Sequence, residues 1–207
     1  RHVNMEVNFE DWQQWAINNN VHPDVIGYLS FAKQDLFDFD PKSSSQSFAT
    51  PRSWTFVSEM VGASGFDSAD TLEQKAEIAG AIGEGMAIKF IEHRRIASKL
   101  PNPSEVIDGK IKKLDSKMSK EISAKYSLVV GVCYELNEMF RDNGIDDKFR
   151  KALNNVVRFS YDNFEPEMVV FLFKTIMKDY QIRFNVRTDL NKDLHKTFSE
   201  RYTKYIA

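Results

Sequence analysis

The segment Thr50-Pro51-Arg52-Ser53-Trp54 carries the most pointed chemistry in this sequence. A threonine before a proline is a helix start. The hydroxyl caps a free backbone N–H, and proline tolerates the first helical position because its missing N–H has no partner there anyway. Arg52 then falls in the first turn, where the helix dipole is positive and a cation is unfavourable. The placement makes sense if an anion binds there, held by free N–H groups and a guanidinium. On spacing alone an exposed arginine on an ordinary proline-started helix remains the other reading.

Other candidates carry less. Gly80-Ala81-Ile82-Gly83-Glu84-Gly85 looks superficially like a phosphate loop. It follows no strand and lies inside a helical pattern, so it reads as small residues that let a second helix approach. His2, His22, His93 and His195 have no metal-ligand spacing, and no metal site is expected. Glu92-His93-Arg94-Arg95 reads as a solvated helix face, and Cys133 as a small core residue. Lys110, Lys112, Lys113, Lys117, Lys120 and Lys125 read as a solvated connection. Aromatic residues that would stack on bases are missing nearby, so nucleic acid is not an expected partner.

The elements that must position these residues are helical. Residues 2–8 alternate polar and apolar and predict one short strand. Helical spacing then predicts helices from Phe9 to Asn20, from Pro23, and from Thr50 to about Gly62, with one long helix over 71–98. In the second half helices are expected near 119–142, 146–161, 166–180 and 189–205, with Gly144 as a stop and Asp146 and Pro166 as starts. Trp12, Trp15 and Ala16 share the expected buried stripe of the first helix. Phe184, Phe198, Tyr202 and Tyr205 are candidates for an exposed partner surface. The fold class is mainly α: a helical bundle, a second helical bundle and one N-terminal strand.

Composition bounds the rest. The chain has 207 residues, 42% hydrophobic and 28% charged, with formal net charge −2, which describes a globular chain and not a basic coat for nucleic acid. One cysteine excludes an internal disulfide framework. No apolar run approaches the ~18 residues of a membrane span, and residues 1–10 lack the apolar stretch of a signal peptide. A cytoplasmic location is expected. Residues 1–100 hold 9 basic and 14 acidic side chains, while 101–207 hold 19 and 16. The shift falls at Leu100-Pro101-Asn102-Pro103. The chain opens on Arg1 and directly on the strand pattern, as a piece of a longer protein would.

Trp12, Trp15-Ala16, His22-Pro23, Val25-Ile26, Leu36 to Pro41 and Phe48 to Trp54, followed by Ile82-Gly83 and Leu100 to Pro103, resemble the carboxy-terminal part of MoxR-like AAA+ ATPases. The similarity is greatest to a branch common in bacteria and their phages, and it covers roughly residues 1–110. The resemblance implies that 1–8 end an α/β core, that 9–110 form the helical lid, and that 111–207 form a further helical domain. It implies that Arg52 matches the sensor-2 arginine that reaches the γ-phosphate of ATP, with Thr50 and Pro51 shaping its helix start. ATP and Mg²⁺ would be held by the parent protein. The implied partners are the AAA+ core of the same or a neighbouring subunit, a client or adaptor protein, and the other subunits of a hexameric ring with a chaperone-like role. No membrane partner is expected. The sequence departs from the family in lacking the Gly-x-x-x-x-Gly-Lys-Ser/Thr string that cradles phosphates. No catalytic residue is therefore expected within this chain, and ATP hydrolysis belongs to the parent. The alternative is a stand-alone helical protein-interaction module without nucleotide function.

Overall fold

The computed structural model describes residues 6–42, 46–63 and 71–206. Among the described residues it is mainly α, with twelve α-helices and no strand. The strand expected over 2–8 falls largely outside the described residues, and residues 6–8 lead into the first helix without regular structure. Two compact units divide the chain, Arg1–Ile96 and Ala97–Ala207.

The first unit holds α1 (Phe9–Asn18), α2 (Pro23–Phe31), α3 (Pro51–Gly62), α4 (Leu72–Ile82) and most of α5 (Glu84–Ala97). Each start has a local cause. Asn8 caps α1 by accepting from the Asp11 N–H at 2.9 Å. His22 caps α2 through Nδ1, which accepts from the Asp24 N–H at 3.2 Å, while its own N–H donates to Ser58 Oγ on α3 at 2.7 Å. Val25, Leu29, Trp54, Val57, Ile78 and Phe90 form the core of this unit. Trp54 is its pivot. Its ring meets Tyr28 and Phe90 at 5.5 and 5.4 Å, and its indole N–H donates to the Asp35 carbonyl at 2.9 Å.

The long helix expected over 71–98 is two helices. Gly83 breaks it with φ +86°, a conformation open to glycine and costly for other residues. Among the described residues the expected close helix approach at Gly80 and Gly85 is absent, since an added Cβ at either meets nothing within 4 Å. The solvated face expected over 92–95 holds for Glu92 and Arg95 and is corrected at the two residues between them. His93 and Arg94 are buried, and Arg94 Nε donates to Asp24 Oδ2 at 2.9 Å, tying α5 to the first turn of α2. A pattern cannot separate a solvated face from one that a neighbouring helix covers.

The second unit holds α6 (Pro103–Ile107), α7 (Ile122–Asn143), α8 (Asp147–Asn163), α9 (Pro166–Lys174), α10 (Val186–Asp189), α11 (Lys192–Arg201) and α12 (Thr203–Ile206). Gly144 ends α7 at φ +66°, and Asp146 caps α8 by accepting from the Phe149 N–H at 2.7 Å. Leu136, Phe149, Leu153, Val157, Val169 and Phe173 are fully buried between α7, α8 and α9. Cys133 is buried with them, and burial pushes its thiol well above its ordinary range. The helix expected over 166–180 passes into a π-helical turn at Thr175–Asp179. Phe184, Phe198 and Tyr202, expected on an exposed surface, are buried, and only Tyr205 of that group is exposed.

Candidate functional site

Arg52 stands in the first turn of α3, as its spacing predicts. The start is a reciprocal capping box: Thr50 Oγ1 accepts from the Ser53 N–H at 3.1 Å, and Ser53 Oγ accepts from the Thr50 N–H at 2.8 Å. Pro51 occupies the first position and offers no N–H. With Ser53 satisfied, the Arg52 backbone N–H is the open donor of this turn among the described residues. No acidic residue lies in the turn to offset the positive end of the dipole. The Arg52 side chain is exposed and has no ion pair among the described residues.

The guanidinium borders a groove of about 460 Å³, walled by Trp12 and Trp15 of α1 and by Pro51, Thr55 and Phe56 of α3. Phe56 lies four residues after Arg52 and so shares its helix face. Trp15 and Phe56 are about half exposed, at 46% and 48%. This corrects the reading of Trp15 as core: α1 buries Trp12 and Ala16 and leaves Trp15 on the groove. Trp12 is buried, and its indole N–H has no acceptor among the described residues. The groove thus joins apolar walls, one unpaired guanidinium and one helix N-terminus, which suits an anion attached to an apolar body. Trp12, Trp15 and Phe56 carry no motif of their own. Their signal was the pairing of two tryptophans three residues apart with an arginine-started helix.

The other candidates do not join this groove. Gly83 and Glu84 border a separate cavity of about 350 Å³ with Asp38, Phe48 and Lys89. His93 is buried, and burial lowers its pKa to about 4, against a smaller opposing pull from Asp24. Burial is also the main cause that lowers His22. Lys125, grouped by sequence with the solvated lysines, is fully buried, and its ammonium reaches both Glu165 oxygens at 2.8 Å.

No helix of the described residues is long and apolar enough to cross a membrane. Comparison with protein-family models, with curated proteins and with solved structures finds no match to this chain.

Proposed function

We propose that this chain is the lid and carboxy-terminal helical region of a MoxR-like AAA+ ATPase. It closes over ATP held by a nucleotide-binding core outside these 207 residues and supports ATP-driven remodelling of partner proteins. The observation that carries the reading is Arg52: an exposed guanidinium without a carboxylate partner among the described residues, on a capped first helical turn that holds no acidic residue. A γ-phosphate placed there would meet the guanidinium and the Arg52 N–H together, and the charge that develops during transfer would be stabilised. Mg²⁺ and the attacking water belong to the core. The chain closes the site and supplies one cation. Because the site holds a single cation and no phosphate loop, phosphoryl transfer is not assigned to this chain by itself.

The test is Arg52→Ala in the ATPase that contains this chain. ATP turnover is expected to fall about 10²-fold, the scale of removing one charge-stabilising donor, with the melting temperature changed by no more than ~2 °C. Unchanged turnover overturns the reading and leaves the stand-alone interaction module. That alternative is favoured by one feature: nine of the eleven exposed large apolar side chains among the described residues lie in the first unit, as a docking surface would require.

A further inference from the structure

Two preorganised surfaces outside the Arg52 groove complement one another. The first is a phenylalanine platform in the first unit. Residues 37–40 read Phe-Asp-Phe-Asp, and the Asp38 N–H donates to the Ala49 carbonyl at 2.9 Å, which fixes this extended segment beside Phe48. The Phe39 ring lies 4.6 Å from Phe48 and 6.3 Å from Phe37. All three rings stay exposed, and Asp38, Asp40 and Glu84, also exposed, border a cavity with Phe48. Two lysines near these rings are engaged elsewhere, Lys33 beside Phe37 with Glu10 at 2.6 Å and Lys89 beside Phe48 with Asp35 at 3.4 Å.

The second is a lysine strap in the second unit. The segment after α6 has no regular structure, yet its backbone is clamped to α8. Asn155 Nδ2 donates to the Ile107 carbonyl at 2.9 Å and Asn163 Nδ2 to the Lys112 carbonyl at 2.8 Å, while the Leu114 N–H donates to Asn163 Oδ1 at 2.7 Å. Lys112 and Lys113 ride on this clamped stretch and are exposed. Lys110 pairs with Asp108 and Lys125 with Glu165, whereas Lys112 and Lys113 have no carboxylate partner among the described residues.

We infer that this chain associates with a second copy of itself, the strap of one copy seating on the platform of the next. Exposed phenyl rings beside carboxylates select a cation on an apolar stem, which is the chemistry of lysine. Both backbones are already held, so association orders little more than side chains. The charge balance agrees: residues 1–100 carry a net −5 and 101–207 a net +3. The two surfaces differ, so the contact is heterologous, and a pair of copies retains one free platform and one free strap. This inference stands on residues apart from Arg52 and survives if the nucleotide reading fails.

Sedimentation of the 207-residue chain over about 1–500 μM tests it. Association is expected at ~50 mM salt and should weaken about tenfold or more at ~500 mM, because the contacts are exposed charge pairs. D38K/D40K and K112E/K113E should each remain monomeric. Mixed one to one, they should associate with each other, through the original pair of surfaces and through the charge-reversed pair alike, which also shows that both variants are folded. All four substitutions in one chain should restore self-association. A wild-type chain that stays monomeric throughout overturns the inference. So does association that K112E/K113E leaves unchanged, which would assign the platform to some other occupant.

Discussion

His93 is buried against the edge of the Tyr28 ring at 5.2 Å, and its neutral form is the one that fits. Its pKa of about 4 lies below the ordinary 6.5, so the unfolded chain binds a proton that the folded chain refuses. The stability this contributes is complete above pH 6.5 and is lost as pH falls towards 4. The gap corresponds to about 3 kcal/mol, and His22 is shifted in the same direction. Thermal melts should therefore fall steeply between pH 6.5 and 4, and His93→Phe should flatten that part of the profile. An equally steep profile in the variant would reject His93 as its source. Lys125 makes the opposite case, a buried charge kept by one partner. Its hydrogen bonds hold the Glu165 carboxyl below the usual carboxylate range. Glu165→Gln would leave an ammonium without its counter-charge in the core. It should cost about 3 kcal/mol in urea unfolding, the low end for a broken buried pair because water reaches Glu165. Lys125→Met, which removes the charge together with the need for a partner, should cost less.

At the scale of elements, the run Gly80 to Gly85 separates intrinsic preference from tertiary constraint. Gly80 lies inside α4 with open space where a Cβ would go. Gly80→Ala should raise stability by about 0.5–1 kcal/mol through helix propensity and a less disordered unfolded chain. Gly83 has positive φ, and an added Cβ would lie 2.9 Å from the Ser47 carbonyl oxygen. Gly83→Ala should destabilise by more than about 1 kcal/mol, since the contact is with backbone that cannot swing away. Two melting temperatures of the same sign would contradict this account of the break between α4 and α5. The helix starts at Thr50, Asp146 and Pro166 were legible because they act within three residues of themselves, whereas the cap at Asn8 lay in a stretch whose alternation reads as strand. The break at Gly83 was not legible either, because three glycines within six residues look alike until the chain folds Ser47 against one of them.

At the scale of the whole molecule, the proposed role as a lid predicts that the purified chain shows no ATP turnover above background. Measurable steady-state hydrolysis would reject an assignment that leaves phosphate-cradling and water activation to a core outside these residues. The mainly α class, the capped start at Thr50 and the place of Arg52 in the first turn follow from residues close together in sequence. Spacing at 3.6 residues and a local cap settle them without reference to the rest of the fold. The structure alone decided which faces are covered. It buried His93, Arg94 and Lys125, which local pattern assigned to solvent, and exposed Trp15, which pattern assigned to the core. It also brought Trp12, Trp15 and Phe56 to the side of Arg52. Burial of a helix face is set by the helix packed against it, and that neighbour lies tens of residues away along the chain.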